Sequence, residues 1–171
     1  MSQNYTSART SMNARNLPKV YSNVSFPRHQ IIFDYGAGKF TDHIRAAFPD
    51  NAYRPYDPYN QPDSVNRDSV YYVLAAMRAR FPVNVVCSNV LNVIDDDATV
   101  RKIARHIREI VTASGGVGYV TVYAGDRSGV GRQTGPDQYQ RNQPLRDYLP
   151  LFPGAEIRKN MIIVRPEKGV S

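Results

Sequence analysis

Two aspartates and two glycines set the chemical question in this chain. Asp34-Tyr35-Gly36-Ala37-Gly38 follows the apolar run Ile31-Ile32-Phe33, and Asp57 stands nineteen residues after Gly38. Glycine lets a backbone approach a ligand where a Cβ would collide. The Asp34 carboxylate, at a strand end, suits a cationic or water-bridged group. An acid about 20 residues beyond a glycine turn is placed to accept two vicinal hydroxyl protons of a ribose. Pro58 and Tyr59, beside Asp57, are suited to cover a flat ring. A G-x-G-x-x-G phosphate turn would need a third glycine where Thr41 stands. An acid ahead of the glycines would also face a pyrophosphate unfavourably. A nicotinamide dinucleotide is therefore disfavoured.

The elements that position these residues read as alternating strands and helices. Ile31-Ile32-Phe33 is a buried strand of parallel type. Phe40, Ile44, Ala47 and Phe48 then recur at helical spacing until Pro49. Ala52–Tyr56 is a second strand, and Asn60–Asp63 is a loop. Val70, Val73, Leu74, Met77 and Phe81 share one helical face, which predicts a helix over Asp68–Arg80. Val70-Tyr71-Tyr72-Val73 also suits a strand. Val83–Cys87 is a third strand, followed by Ser88-Asn89. Asp95-Asp96-Asp97 offers caps for a helix whose apolar face is Val100, Ile103, Ala104, Ile107 and Val111. Gly115-Gly116 ends that helix. Val117–Tyr123 is a fourth strand. Gly125–Asn142 is a loop too long to be a mere connection. Leu145–Phe152 is a short helix or turn. Glu156–Arg158 and Met161–Val164 flank Lys159-Asn160 as a terminal hairpin. This order predicts an α/β fold with one Rossmann-like sheet, mostly parallel, ending in an antiparallel hairpin.

Composition narrows the classes. The 171 residues make one domain, with 42% hydrophobic and 22% charged residues. A single cysteine, Cys87, excludes a disulfide scaffold and a four-cysteine zinc site. The three histidines have no ligand spacing, the three aspartates at 95–97 read as a cap, and no metal site is expected. No apolar run is long enough to span a membrane and no leader precedes the first motif, so a cytoplasmic protein is expected. The net charge of +7 allows a polyanionic partner. Residues 1–28 hold no acid and carry Arg9, Arg15, Lys19 and Arg28, which reads as a basic N-terminal arm ahead of a domain over 29–171. Within the arm, Ser11–Tyr21 is a short helix candidate that Pro18 limits.

S-adenosylmethionine carries no phosphate, and its amino and sulfonium groups are cationic, so the acidic turn suits it. Asp34-x-Gly36-x-Gly38 resembles motif I of the class I S-adenosylmethionine-dependent methyltransferases, and Asp57 resembles their ribose acid. A narrower likeness, over roughly Arg9 to Pro166, is to small bacterial and phage methyltransferase-domain proteins that include a DNA phosphorothioation-associated group. It rests on Cys87-Ser88-Asn89-Val90-Leu91-Asn92-Val93-Ile94, similar to their Tyr-Val-Leu-Asn-Val segment. It rests also on Thr134-Gly135-Pro136-Asp137-Gln138-Tyr139-Gln140, where they read Gly-Thr-x-Gln. The stretch from Asn60 to Phe81 is longer than in that group and is expected to replace a sheet strand with a helix or to build a substrate wall. Asp57-Pro58-Tyr59 also resembles the Asp-Pro-Pro-Tyr signature of amino-methyltransferases, but that signature follows the strand where this chain has Ser88-Asn89-Val90-Leu91.

The resemblance implies a methyltransferase that uses S-adenosylmethionine, bound by Asp34, Gly36, Gly38, Asp57, Pro58, Tyr59, Ser88 and Asn89, in the cytoplasm (the host's, if phage-encoded). The alternative is a catalytically silent module on the same fold that binds the cofactor or nucleic acid. No general base stands out. Arg127, Arg132, Gln138, Tyr139 and Arg141 are candidates to clamp a substrate, because they mix charge with a stacking face. With no room for a target-recognition domain, a large acceptor such as DNA or RNA has to be gripped by the arm, by that loop or by a partner protein.

Overall fold

The computed structural model describes residues 16–136 and 138–167. Its sheet has six strands: β1 (Ile31–Tyr35), β2 (Ala52–Tyr56), β3 (Val83–Ser88), β4 (Gly118–Thr121), β7 (Glu156–Arg158) and β8 (Met161–Val164). Their order is β2-β1-β3-β4-β8-β7. The first four run parallel, and β8 is antiparallel to both β4 and β7. Lys159 and Asn160 both have positive φ, the backbone that a two-residue turn between twisted strands requires. A separate antiparallel pair, β5 (Arg132–Gly135) and β6 (Gln138–Gln140), rises from the stretch expected as a loop. The period-two signal is faint there because both faces of the pair are polar.

Helices cover both faces of the sheet. On one face, α3 (Asp63–Ala79) and α4 (Asp97–Ser114) pack on Ile31, Phe33, Val83, Val85, Cys87 and Val120. On the other, α1 (Lys19–Asn23) and α2 (Asp42–Ala47) pack on Ile32, Tyr53, Val86 and Ile163. Asp96 caps α4 by accepting from the Ala98 and Thr99 amides, and Gly115 closes it in the left-handed conformation. No helix among the described residues is long and apolar enough to cross a membrane.

Three expectations change. The described part of the basic segment is not a free arm: Val20, Tyr21 and Phe26 are buried in the core, and Pro18 starts α1 rather than ending a helix. Arg9, Arg15 and the earlier part of the helix candidate lie outside the described residues. The second helix begins at Asp42 rather than Lys39, with Phe40 exposed. The helix expected over Asp68–Arg80 forms, but it starts at Asp63, inside the expected loop. Its buried residues are Asn66, Ser69, Val73 and Ala76, so the helix is rotated from the face that Val70, Leu74 and Phe81 suggest. Polar groups drive the rotation. The Ser69 hydroxyl donates to the Pro55 carbonyl at 2.6 Å, and the Asn66 amide pairs with the backbone of Asp57. Buried backbone at the end of edge strand β2 is satisfied this way.

Candidate functional site

The chain leaves β1, pairs β2 on one side, and returns to place β3 on the other. The carboxyl ends of β1 and β3 therefore flank the switch in strand order, where open α/β sheets bind ligands. Gly36 and Gly38, both with positive φ, make the turn at this point. Asp57 stands on the β2 side, and Ser88 and Asn89 on the β3 side. These expected residues are thus neighbours along one edge, whereas Asp34 is not on it.

Asp57 is buried and its carboxylate is fully engaged. Oδ2 accepts from the Gly38 amide at 3.0 Å and from the Asn60 side-chain amide at 2.9 Å. Oδ1 accepts from the amides of Tyr59 at 3.0 Å and Asn60 at 3.1 Å. Four donors fill a carboxylate's acceptor sites. Asp57 thereby ties the glycine turn to the loop after β2. A diol would take the place of the Asn60 side chain, the one donor of the four that is not backbone. Gln61 adds a second tie, donating to the Gly38 carbonyl at 2.6 Å. Pro58 is exposed, and Tyr59, whose amide meets the carboxylate, is 52% exposed.

Asp34 lies deeper. Alternation along β1 turns it to the face of Ile32, under α1, where it is 4% exposed. It accepts from the Tyr53 hydroxyl at 2.6 Å. The Tyr21 hydroxyl faces the same carboxylate, yet no hydrogen bond of sound geometry satisfies it. Burial raises the Asp34 pKa to about 6, against the lowering effect of the two tyrosines, and the charge of Asp57 adds to the rise. Burial likewise pushes the Tyr53 hydroxyl far above its ordinary range. Both tyrosines were invisible as partners in the sequence. The available signal was the period of two, which puts an acid on a buried face and so demands a donor there.

Across the switch, Val90 closes on the turn. A Cβ at Gly36 would collide with a Val90 γ-methyl, so the glycine makes room for this valine. Asn89 adopts a left-handed backbone and is exposed, with its amide donating to the Thr121 carbonyl at 2.9 Å. The Ser88 hydroxyl accepts from that of Thr121 at 3.0 Å. Behind the turn, the Tyr35 hydroxyl meets His106 Nδ1 at 3.3 Å.

The β5–β6 hairpin stands on this same edge. Its base is stitched to the 3₁₀ turn Leu91–Val93 that follows β3. The Arg141 amide donates to the Asn92 carbonyl at 2.9 Å, and the Asn92 side chain donates to Gln140 Oε1 at 3.1 Å. A cleft of about 400 Å³ lies between the hairpin and the end of β4, lined by Tyr123, Gly125, Asp126, Arg132, Thr134, Gln140 and Asn142. Arg127 and Arg132 are exposed, and Arg132 is 3.8 Å from the Asp126 carboxylate. Gln138 and Tyr139 are half-buried; the Tyr139 hydroxyl lies over Gly131, where a Cβ would strike it.

Arg141 is different from the other expected clamp residues. It is 9% exposed, and its guanidinium donates to the Ile94 carbonyl, to the Asp95 carbonyl at 3.2 Å and to Asp97 at 2.7 Å. It fastens the hairpin to the start of α4 and is not offered to a ligand. No protein-family model matches this chain. No curated protein matches it either. The functional reading therefore rests on this geometry and on the motifs.

Proposed function

We propose that this protein binds S-adenosylmethionine at the β1–β3 switch of a Rossmann-like sheet and transfers its methyl group to an acceptor held beside the β5–β6 hairpin. The observation that carries the reading is the placement of the Gly36–Gly38 turn between Asp57 and Ser88-Asn89 at the switch in strand order. The residues present suit such a ligand. Asp57 offers a strand-end carboxylate with one exchangeable side-chain donor, Tyr59 an exposed ring, and the turn two glycines.

When bound, the cofactor supplies a methyl already activated on a sulfonium. The protein's own task is then alignment. Asp57 fixes the turn and the ring cover in one network. Asn92 and Gln140 hold the hairpin against the segment after β3, so a group in the cleft by Tyr123 and Arg132 is kept on the same edge as the turn. The cleft holds one cation, Arg132, beside Asp126, with Arg127 exposed in the same loop, and a nucleic acid is the acceptor class the basic composition supports.

S-adenosylhomocysteine tests the reading. At 100 times its dissociation constant it should add about 2.7 kcal/mol to stability, read as a rise in melting temperature. No rise at millimolar ligand would overturn the proposal. The second reading, a silent binding module, is favoured by the packing of Val90 into the turn and by the full engagement of Asp57. Binding without transfer of labelled methyl to DNA, RNA or protein would select it.

A further inference from the structure

The rotation of α3 that buries Asn66 and Ser69 leaves an apolar stripe outside. Val70, Tyr71 and Leu74 are 37%, 69% and 45% exposed, and Phe81 extends the patch just beyond the helix end. On a helical wheel Tyr71 lies opposite the inward face of Asn66, Ser69, Val73 and Ala76, Leu74 about a third of a turn from it, and Val70 about a quarter of a turn. The same outer face carries Asp63 in the first turn, Arg67, and Arg78 in the last turn. All three are exposed, and none is in an ion pair among the described residues. A contiguous apolar stripe framed by unspent charges marks an interaction surface.

We infer that this surface pairs with its own copy: α3 of one protomer lies antiparallel on α3 of a second, about a two-fold axis between Val70 and Tyr71. The pattern of the stripe is self-complementary about that point. Val70 falls opposite the partner's Tyr71, and Leu74 opposite the aliphatic stem of the partner's Arg67. Asp63 falls opposite the partner's Arg78, so each end of the helix pair gains an ion pair of opposite charge. An isologous contact needs this reciprocity, in which each residue and its opposite number exchange roles across the axis. Antiparallel α3 helices also set the positive end of one dipole beside the negative end of the other. A parallel pairing would instead bring Asp63 to Asp63 and Arg78 to Arg78. The consequence reaches the candidate site, because Asn66 of the same helix holds the backbone of Asp57. Pairing would brace the loop that carries Tyr59.

Sedimentation velocity of the full chain across a concentration series tests this. The mass should rise from 19.3 kDa toward twice that value. Leu74→Lys should raise the dimer dissociation constant by about tenfold or more, because it sets a like charge against the partner's Arg67 and removes the apolar contact. Asp63→Arg and Arg78→Asp should each weaken association, and the double exchange should restore it. All these side chains are exposed, so circular dichroism should find every variant folded, and Leu74→Gln provides a milder check. A chain that stays monomeric at about 100 μM, where a micromolar pair is mostly dimeric, overturns the inference. So does a dimer indifferent to Leu74→Lys, or a double exchange that fails to recover what the single changes lose.

Discussion

At the β2 end of the sheet's carboxyl edge, Asp57 gathers the amides of Gly38, Tyr59 and Asn60. At the β4 end, Arg141 gives its guanidinium to two carbonyls and to Asp97. The two arrangements are opposite in charge and alike in purpose. Each buries one ionised side chain to fold a loop that would otherwise leave backbone groups unsatisfied. What each end leaves unspent differs. The acidic end keeps the Tyr59 ring and a replaceable amide; the basic end keeps Arg127, Arg132 and Tyr123. Charge at this sheet edge thus divides into a buried share that builds the edge and an exposed share that, under the proposed function, is free to meet a ligand.

Removing Asp57 is the strongest way to break this symmetry. Asp57→Ala strands three backbone N–H groups and should cost about 3 kcal/mol, the upper range for hydrogen bonds to a charged group. Urea denaturation would read it. Loss of S-adenosylhomocysteine binding at full stability would instead mean that the ligand, not the loop, is what Asp57 serves.

Asp34 sharpens the comparison, since it is a buried charge with no cation beside it. Its folded pKa, about 6, lies above the ordinary value of 3.8, so the folded state holds the proton more tightly than the unfolded chain. The resulting stability is fully present below the unfolded pKa and is lost as pH rises through about 6. That difference in pKa corresponds to about 3 kcal/mol at most. Wild-type stability should therefore fall between about pH 4 and pH 7. Asp34→Asn keeps an acceptor for Tyr53 and should flatten that fall, making the variant the more stable of the two at pH 8. Equal slopes in both proteins would show that Asp34 is not the group that titrates.

The strands were legible because their apolar runs are short, continuous and punctuated by Asp34, Asp57 and Ser88-Asn89. The cap at Asp96 and the stop at Gly115 were legible for local reasons. The switch site was readable as a set of positions. Its internal wiring was not, because Asn60, Asn66, Tyr53 and Val90 acquire their roles only when β2 and β3 come to lie on either side of β1. Helix α3 defeated the apolar pattern for a related reason: the end of an edge strand needed Ser69 and Asn66 more than the core needed Leu74. Arg141 looked like its neighbours Arg127 and Arg132 because a guanidinium in a glycine-rich loop carries no mark of the carbonyls that it will meet.

Those arginines give the last and smallest test of the comparison. Arg141→Ala should cost about 2 kcal/mol, since it unpairs buried carbonyls and Asp97. Arg141→Lys should recover little, because an ammonium cannot reproduce the planar fork. Arg127→Ala and Arg132→Ala should each change stability by less than about 0.5 kcal/mol: both are exposed, and an exposed pair at the Arg132–Asp126 separation of 3.8 Å contributes little. Under the proposed function their effect falls on ligand binding. If the acceptor is a nucleic acid, affinity falls with salt, and each exposed arginine that contacts a phosphate steepens the log–log slope by about 0.7–0.9. The double variant should then lose up to about 1.8 units of slope at unchanged melting temperature, the limit for duplex DNA. A filter-binding salt titration with single- and double-stranded probes measures it. If the slope drops with Arg141→Ala instead, once that variant's lower stability is allowed for, the buried guanidinium is released to the ligand and the division between building and binding charges fails at this end. If none of the three changes moves the slope, the hairpin does not grip a polyanion, and the proposed function would then need a small molecule or a protein side chain as the acceptor in the cleft by Tyr123.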